Sequence, residues 1–160
     1  MAVNNAAIVL LCIFALSSTL ALGKPVKYKE CEGATVMSKL ASVDIEPYEK
    51  EHDRYIFHKG TNVTSTIKFT PTEMFTGGTI HLSAEFLGMW RELPVPQPDV
   101  CKDHKITCPL KPDVEYTMVG TIEVMKNLPS LPYTIQLDVE SSGTNKKYLF
   151  CYQMEIQLKN

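Results

Sequence analysis

The chain has 160 residues, with 16 basic and 18 acidic side chains interspersed and a formal net charge of −2. That length fits one domain with a substantial core. The charge balance excludes a basic nucleic-acid footprint and a polybasic membrane anchor.

Residues 1–23 carry no charged side chain, residues 6–16 are almost continuously apolar, and Ala21-Leu22-Gly23 places small residues where a signal peptidase cuts. The stretch reads as a secretory signal peptide removed before Lys24, with an uncleaved membrane anchor as the alternative. Residues 24–160 then form a single domain holding four cysteines, Cys31, Cys101, Cys108 and Cys151. An even count behind a secretory signal implies two disulfides in one of three pairings. The short spacing favours Cys101–Cys108, which leaves Cys31–Cys151 to join the two ends. A zinc site has no C-x-x-C pair to build on. Asn62-Val63-Thr64 is a glycosylation sequon, so Asn62 is a candidate glycan acceptor in a lumenal or extracellular chain.

Residues 36–45 are a weak strand candidate ended by Pro47, and the charged, histidine-bearing stretch 46–59 reads as a loop. Residues 62–70 put Val63, Ile67 and Phe69 on one face. After Gly77-Gly78, residues 79–87 alternate Ile80, Leu82, Ala84 and Phe86 with polar neighbours. The segment 92–110, ELPVPQPDVCKDHKITCPL, breaks the pattern. Pro94, Pro96 and Pro98 remove three backbone donors, and Cys101 and Cys108 close a small polar loop. Leu93 and Val95 are therefore expected outside any strand ladder. Alternation returns in 114–125 and in 133–139, joined by a second proline-broken apolar stretch that contains Leu128 and Leu131. The longest signal is KYLFCYQMEIQLK, where Tyr148, Phe150, Tyr152, Met154, Ile156 and Leu158 recur at every second position. Ser141-Ser142-Gly143-Thr144-Asn145 makes it a hairpin with the strand before it. Six or seven short strands without a helical period imply an all-β fold, an immunoglobulin-like sandwich of two antiparallel sheets.

No catalytic constellation is present. There is no G-x-S-x-G elbow, no phosphate-cradling glycine loop and no H-E-x-x-H, so neither an enzyme nor a cofactor is expected. His52, His58, His81 and His104 are scattered, and His81 and Glu85 share a polar strand face. Asp99, Asp103 and His104 flank the cysteine loop and read as loop polarity around a disulfide, with a cation site as the alternative. The two apolar proline-bearing loops either cap the core or rim something greasy. Period-two alternation looks the same in a solid sandwich and in a hollow one.

The run Leu93-Pro94-Val95-Pro96-Gln97-Pro98-Asp99-Val100-Cys101-Lys102, the short loop to Cys108-Pro109, Tyr116 and Leu149-Phe150-Cys151-Tyr152 carry a resemblance, together with Cys31. On these the chain resembles the ML lipid-recognition family, and within it the Niemann–Pick type C2-like sterol-transfer proteins, from about Tyr28 onward. The resemblance implies two sheets that separate to enclose one apolar ligand, bound and transferred without chemical turnover. Its mouth would be Leu93, Val95, Pro96, Val124, Leu128 and Leu131, and its wall Val63, Phe69, Phe86, Leu137, Val139 and Tyr152. It implies a monomer, secreted or in the endolysosomal lumen, whose partners are a sterol or other lipid, donor and acceptor membranes, and a membrane lipid-transfer receptor. The sequence departs from the sterol-transfer pattern. A cysteine pair is missing between Pro47 and Gly60, mouth aromatics are leucines, Ser141 stands where a tryptophan would, and the connection from Val124 to Ile135 is about four residues longer. A phospholipid- or glycolipid-binding module of innate recognition is the alternative within the family. An immunoglobulin-like adhesion domain is a third reading, against which the cysteine positions and Trp90 argue.

Overall fold

The structure is a computed structural model that describes residues 24–160, so the expected signal peptide lies outside the described residues. It is all-β, with no helix among the described residues. Eleven strand segments follow one another: β1 (Lys24–Pro25), β2 (Lys29–Glu30), β3 (Ser38–Glu46), β4 (Glu49–Glu51), β5 (Arg54–His58), β6 (Asn62–Pro71), β7 (Gly78–Phe86), β8 (Met89–Leu93), β9 (Tyr116–Glu123), β10 (Pro132–Ser141) and β11 (Tyr148–Lys159). Five of them, β6, β7, β9, β10 and β11, lie where alternation places strands, and the weak candidate 36–45 becomes β3.

The strands form two facing sheets. One has the order β1-β3-β6-β9; the other runs β4-β5-β11-β10-β7-β8, with β2 also on β11. The hairpin of β10 and β11 pairs as its turn predicts, Leu137 opposite Tyr152 and Ile135 opposite Met154. All pairings are antiparallel except β5 with β11, which run parallel, Tyr55 opposite Ile156.

Two expectations are corrected here. The stretch 46–59 is not a loop, since it holds β4 and β5. Tyr55, Ile56 and Phe57 are consecutive and all buried, so β5 is covered on both faces and shows no alternation to read. Leu93 is not outside the ladder either. It ends the edge strand β8, opposite Leu82, and the chain leaves the sheet only at Pro94.

The two disulfides pair as the spacing favours, Cys31 with Cys151 and Cys101 with Cys108, at Cα separations of 5.4 and 5.6 Å. The solid part of the core fills one end of the sandwich. Phe69 lies 5.2 Å from Phe150 and 6.2 Å from Tyr116, ring to ring, with Ile67, Phe75, Leu110 and Val139 fully buried. Phe75 and Leu110 exchange backbone hydrogen bonds of 3.1 and 2.8 Å, which ties the segment after Cys108 over this end. Gly78 is needed where β7 meets β10, because a Cβ there would run into the Glu140 carbonyl oxygen.

Candidate ligand cavity between the sheets

Toward the opposite end the same inward faces no longer touch. Ile135 and Leu137 lie on β10, which is flanked by β11 and β7, and they point inward. In a solid sandwich both would be fully buried, yet both are only half-buried. The reason is a cavity of about 690 Å³ in front of them. That volume falls inside the roughly 300–1,000 Å³ range of small-molecule sites.

Its walls come from both sheets. β7 contributes Ile80, Leu82 and Ala84; β10 adds Tyr133, Ile135 and Leu137; β11 adds Tyr152, Met154, Ile156 and Leu158. β5 of that same sheet adds Phe57, and the facing sheet supplies Ile45, Val63, Met118 and Ile122. Polar groups are few. Ser65 Oγ donates to the Gly120 carbonyl at 3.4 Å, and the Tyr133 hydroxyl donates to the Pro129 carbonyl at 3.1 Å. Burial pushes the phenol of Tyr152 well above the usual tyrosine range, so that side chain stays neutral in its wall.

Two connections frame the mouth. Residues 94–97 lie along one side, and Val124 and Leu128 along the other. Gly60 N donates to the Val124 carbonyl at 2.7 Å and Val124 N to the Thr61 carbonyl at 2.9 Å, while Lys59 Nζ reaches the Leu128 carbonyl at 3.3 Å. These bonds fix where the second apolar loop stands. The proline strip is anchored beyond its end, where Ile80 N donates to the Pro98 carbonyl at 2.7 Å and Val100 N to the Gly78 carbonyl at 3.2 Å. Asp99 takes the Lys102 ammonium at 2.9 Å and the Cys101 amide at 3.0 Å, and both hold its carboxyl below the usual carboxylate range.

Of the residues named from sequence, Val63, Leu93, Val95, Pro96, Val124, Leu128, Leu137 and Tyr152 come together around this space. Phe69, Phe86, Leu131 and Val139 stand off it. Phe69 and Val139 share the inward faces but sit at the solid end, fully buried. Phe86 reaches the cavity only through Tyr133, whose ring it meets at 5.6 Å. Leu131 leads into β10, and its carbonyl accepts from Leu158 N at 3.1 Å. Sequence reasoning passed over Phe57 and Ile45, in the stretch where alternation was weak. His104, read from the sequence as loop polarity around the disulfide, is instead buried. Met154, Ile156 and Leu158 were legible as an inward face, but not as its hollow part. Among the described residues no group of three or more His, Cys, Asp or Glu side chains is placed to hold a metal ion. His81 bonds Glu92 at 2.9 Å on the outer face of the sheet, away from the cavity.

The ML-domain family model matches residues 25–158. The chain belongs to the ML-domain family. Among its relatives is the mouse protein named NPC intracellular cholesterol transporter 2, 26% identical over 153 residues that cover 96% of this chain and 95% of that one. The ecdysteroid-regulated 16 kDa protein of Manduca sexta is 26% identical over 117 residues, covering 71% of this chain and 77% of the relative. The crystal structure of a Niemann-Pick type C2 protein from the Japanese carpenter ant superposes with a TM-score of 0.74 at 21% identity. It covers 83% of this chain and 99% of the ant chain, and it supports the fold.

Proposed function

We propose that this ML-domain protein binds one sterol-like lipid between its sheets and passes it between membranes, with no chemical turnover. The observation that carries the reading is the half-burial of Ile135 and Leu137, inward apolar side chains in the middle of a sheet with a cavity in front of them. Every 100 Å² of apolar ligand surface taken from water there contributes about 2.5 kcal/mol, so binding needs no charge. A relative named as a cholesterol transporter supports a sterol over other lipids.

A membrane as donor and acceptor is supported by the β7–β8 turn. Leu87 and Gly88 both have positive φ, 51° and 76°, as a two-residue hairpin turn requires. A leucine in that conformation costs about 1–2 kcal/mol. Leu87 is nevertheless 79% exposed, with Met89 and Trp90 exposed beside it, so that cost is not offset by burial in the fold. The register of Thr134 with Glu85 puts this tip at the same end as Tyr133 and the mouth, with Arg91 two residues along β8. The tip is suited to enter a headgroup layer while the mouth faces the bilayer.

The protein acts as a monomer in the secreted or endolysosomal space and hands its lipid to membranes or to a membrane lipid-transfer receptor. Asn62, exposed at the start of β6, carries a glycan in that setting. Lipids extracted from the protein secreted by a eukaryotic host and identified by mass spectrometry test the proposal, together with titration by fluorescent dehydroergosterol. A sterol in the extract and saturable probe binding are expected, with binding weakened by Leu93→Asp in a protein that still folds. Purification without bound lipid, combined with no binding of the probe, would sink it. A phospholipid or glycolipid in the extract would replace sterol as the cargo.

A further inference from the structure

Ser65 breaks an apolar row. The other inward positions of β6 are Val63, Ile67 and Phe69, all buried. Ser65 is only half-buried, although β6 is flanked by β3 and β9, with Ile45 opposite on one side and Gly120 on the other. The surface it keeps is turned to the cavity that it lines. Its hydroxyl is weakly engaged there. The bond to the Gly120 carbonyl is 3.4 Å long, against about 2.5–3.0 Å for an ordinary hydroxyl donor. That bond uses neither of the two lone pairs with which the oxygen can accept.

Gly120 leaves space beside this hydroxyl. A Cβ there would lie 3.7 Å from Ser65 Oγ and 3.6 Å from His104 Nδ1, so room for a methyl group stands open between the two side chains. His104 closes this notch from the cysteine loop without offering it a polar atom. Its Nδ1 lies 3.2 Å from the Val119 carbonyl oxygen and its Nε2 3.0 Å from that of Gln97, so both nitrogens are turned to the backbone. The inward neighbours of Gly120 on β9 are Met118 and Ile122, both apolar. Gly120 lies four residues before Val124 at the mouth, a depth of about 13 Å at the rise of a strand. That depth is comparable with the reach of a sterol from its ring hydroxyl toward the end of its side chain.

We propose that Ser65, with the space left by Gly120, is a specificity-determining subsite that takes a hydroxyl at the inner end of the lipid and selects side-chain-hydroxylated sterols over cholesterol. A sterol with one hydroxyl can serve either the notch or the mouth, whichever way round it enters. A second hydroxyl at the far end serves both, with water satisfying the group at the mouth. A hydrocarbon end against the notch strips water from the Ser65 hydroxyl and returns no bond, whereas a ligand hydroxyl can both donate to it and accept from it. Sites that hydrogen-bond a ligand hydroxyl discriminate against the analogue lacking it, and a single serine supplies about tenfold. The inference rests on the sterol reading of the cavity.

Direct binding of radiolabelled cholesterol and 25-hydroxycholesterol to the intact, delipidated secreted protein tests it. An inner end that is apolar throughout would bind the hydroxysterol more weakly, because its second hydroxyl would lose water without gaining a partner. The subsite predicts the reverse, with 25-hydroxycholesterol about tenfold tighter. Ser65→Ala should weaken 25-hydroxycholesterol about tenfold and tighten cholesterol a few-fold, opposite changes that general damage to the wall does not produce. Gly120→Ala, whose added methyl meets only ordinary contact distances, should also remove the preference by filling the space. Equal or weaker binding of 25-hydroxycholesterol by the wild type, or an equal loss of both sterols in S65A, overturns the subsite. If S65A does not fold, the wild-type preference and G120A decide it. Cholesterol binding without the preference sinks the subsite alone, while binding of neither sterol sinks the sterol reading and the subsite with it.

Discussion

Leu137 and Val139 lie two residues apart on β10 and point the same way, but one faces the cavity and the other the solid core. Replacing each by tryptophan applies the same chemical change to both environments. At Val139, which has no exposed surface, the indole has no space, and overpacking costs about 1–3 kcal/mol or more. At Leu137 the ring enters a cavity of about 690 Å³ without displacing a neighbour. The apolar area it buries there offsets its ordering cost and is worth up to about 1 kcal/mol. The two variants should therefore differ by about 2–4 kcal/mol, which for a domain of this size is roughly 8–15 °C in Tm. Thermal unfolding of the oxidised protein followed by circular dichroism reads the difference. Dehydroergosterol binding should weaken at least tenfold in Leu137→Trp, because the ring occupies ligand space. Equal destabilisation at the two positions, or undiminished binding by Leu137→Trp, would refute a hollow end.

The two disulfides should differ in what their loss does. Replacing Cys31 and Cys151 by serine opens a crosslink spanning 120 residues and should cost about 5 kcal/mol by loop entropy, read from urea midpoints at constant m. Cys101 and Cys108 are only 7 positions apart in sequence, so their removal should cost about half as much while loosening the wall enough to weaken probe binding. Burial raises the Tyr152 phenol pKa, so the folded state holds that proton more tightly than the unfolded chain. Its contribution is complete below the ordinary tyrosine value of about 10 and is lost as pH rises beyond it. Phenolate absorbance up to about pH 11 should therefore leave Tyr152 silent until the protein unfolds, and its titration in the folded protein would contradict the burial.

Strands exposed on one face were legible in the sequence because water imposes alternation on them. Leu137 to Gln136 and Met154 to Gln153 are such contrasts. β5 was not legible because Tyr55, Ile56 and Phe57 are buried on both faces. β8 was missed because Met89 and Trp90 are exposed on an edge strand whose single half-buried residue is Leu93. The cavity wall was partly legible through the family likeness, which put Val63, Leu93, Val124 and Tyr152 around one space. The likeness put Phe69 and Val139 there too, because they share the inward parity. Parity fixes which face a side chain takes. Where along the strand the sheets part depends on ring contacts such as Phe69 with Phe150, which join strands far apart in sequence.

A hollow sandwich gives up contacts at one end, so its stability has to come from the other. The solid end has the Phe69–Phe150–Tyr116 cluster and the Phe75–Leu110 exchange, while at the hollow end the inward faces of the two sheets line the cavity. Local opening should follow that division. On β6, Ser65 lies one residue further from its strand end than Phe69 does, so fraying alone would protect the amides of 64–66 better than those of 68–70. The packing predicts the reverse order. In the ligand-free protein, hydrogen exchange at 64–66 should be about tenfold faster than at 68–70, and an apolar ligand filling the cavity should narrow the gap by supplying the missing contacts. Uniform protection along β6, or an order that follows distance from the strand ends, would mean that the two ends are equally well packed and that the empty space contributes nothing to the dynamics.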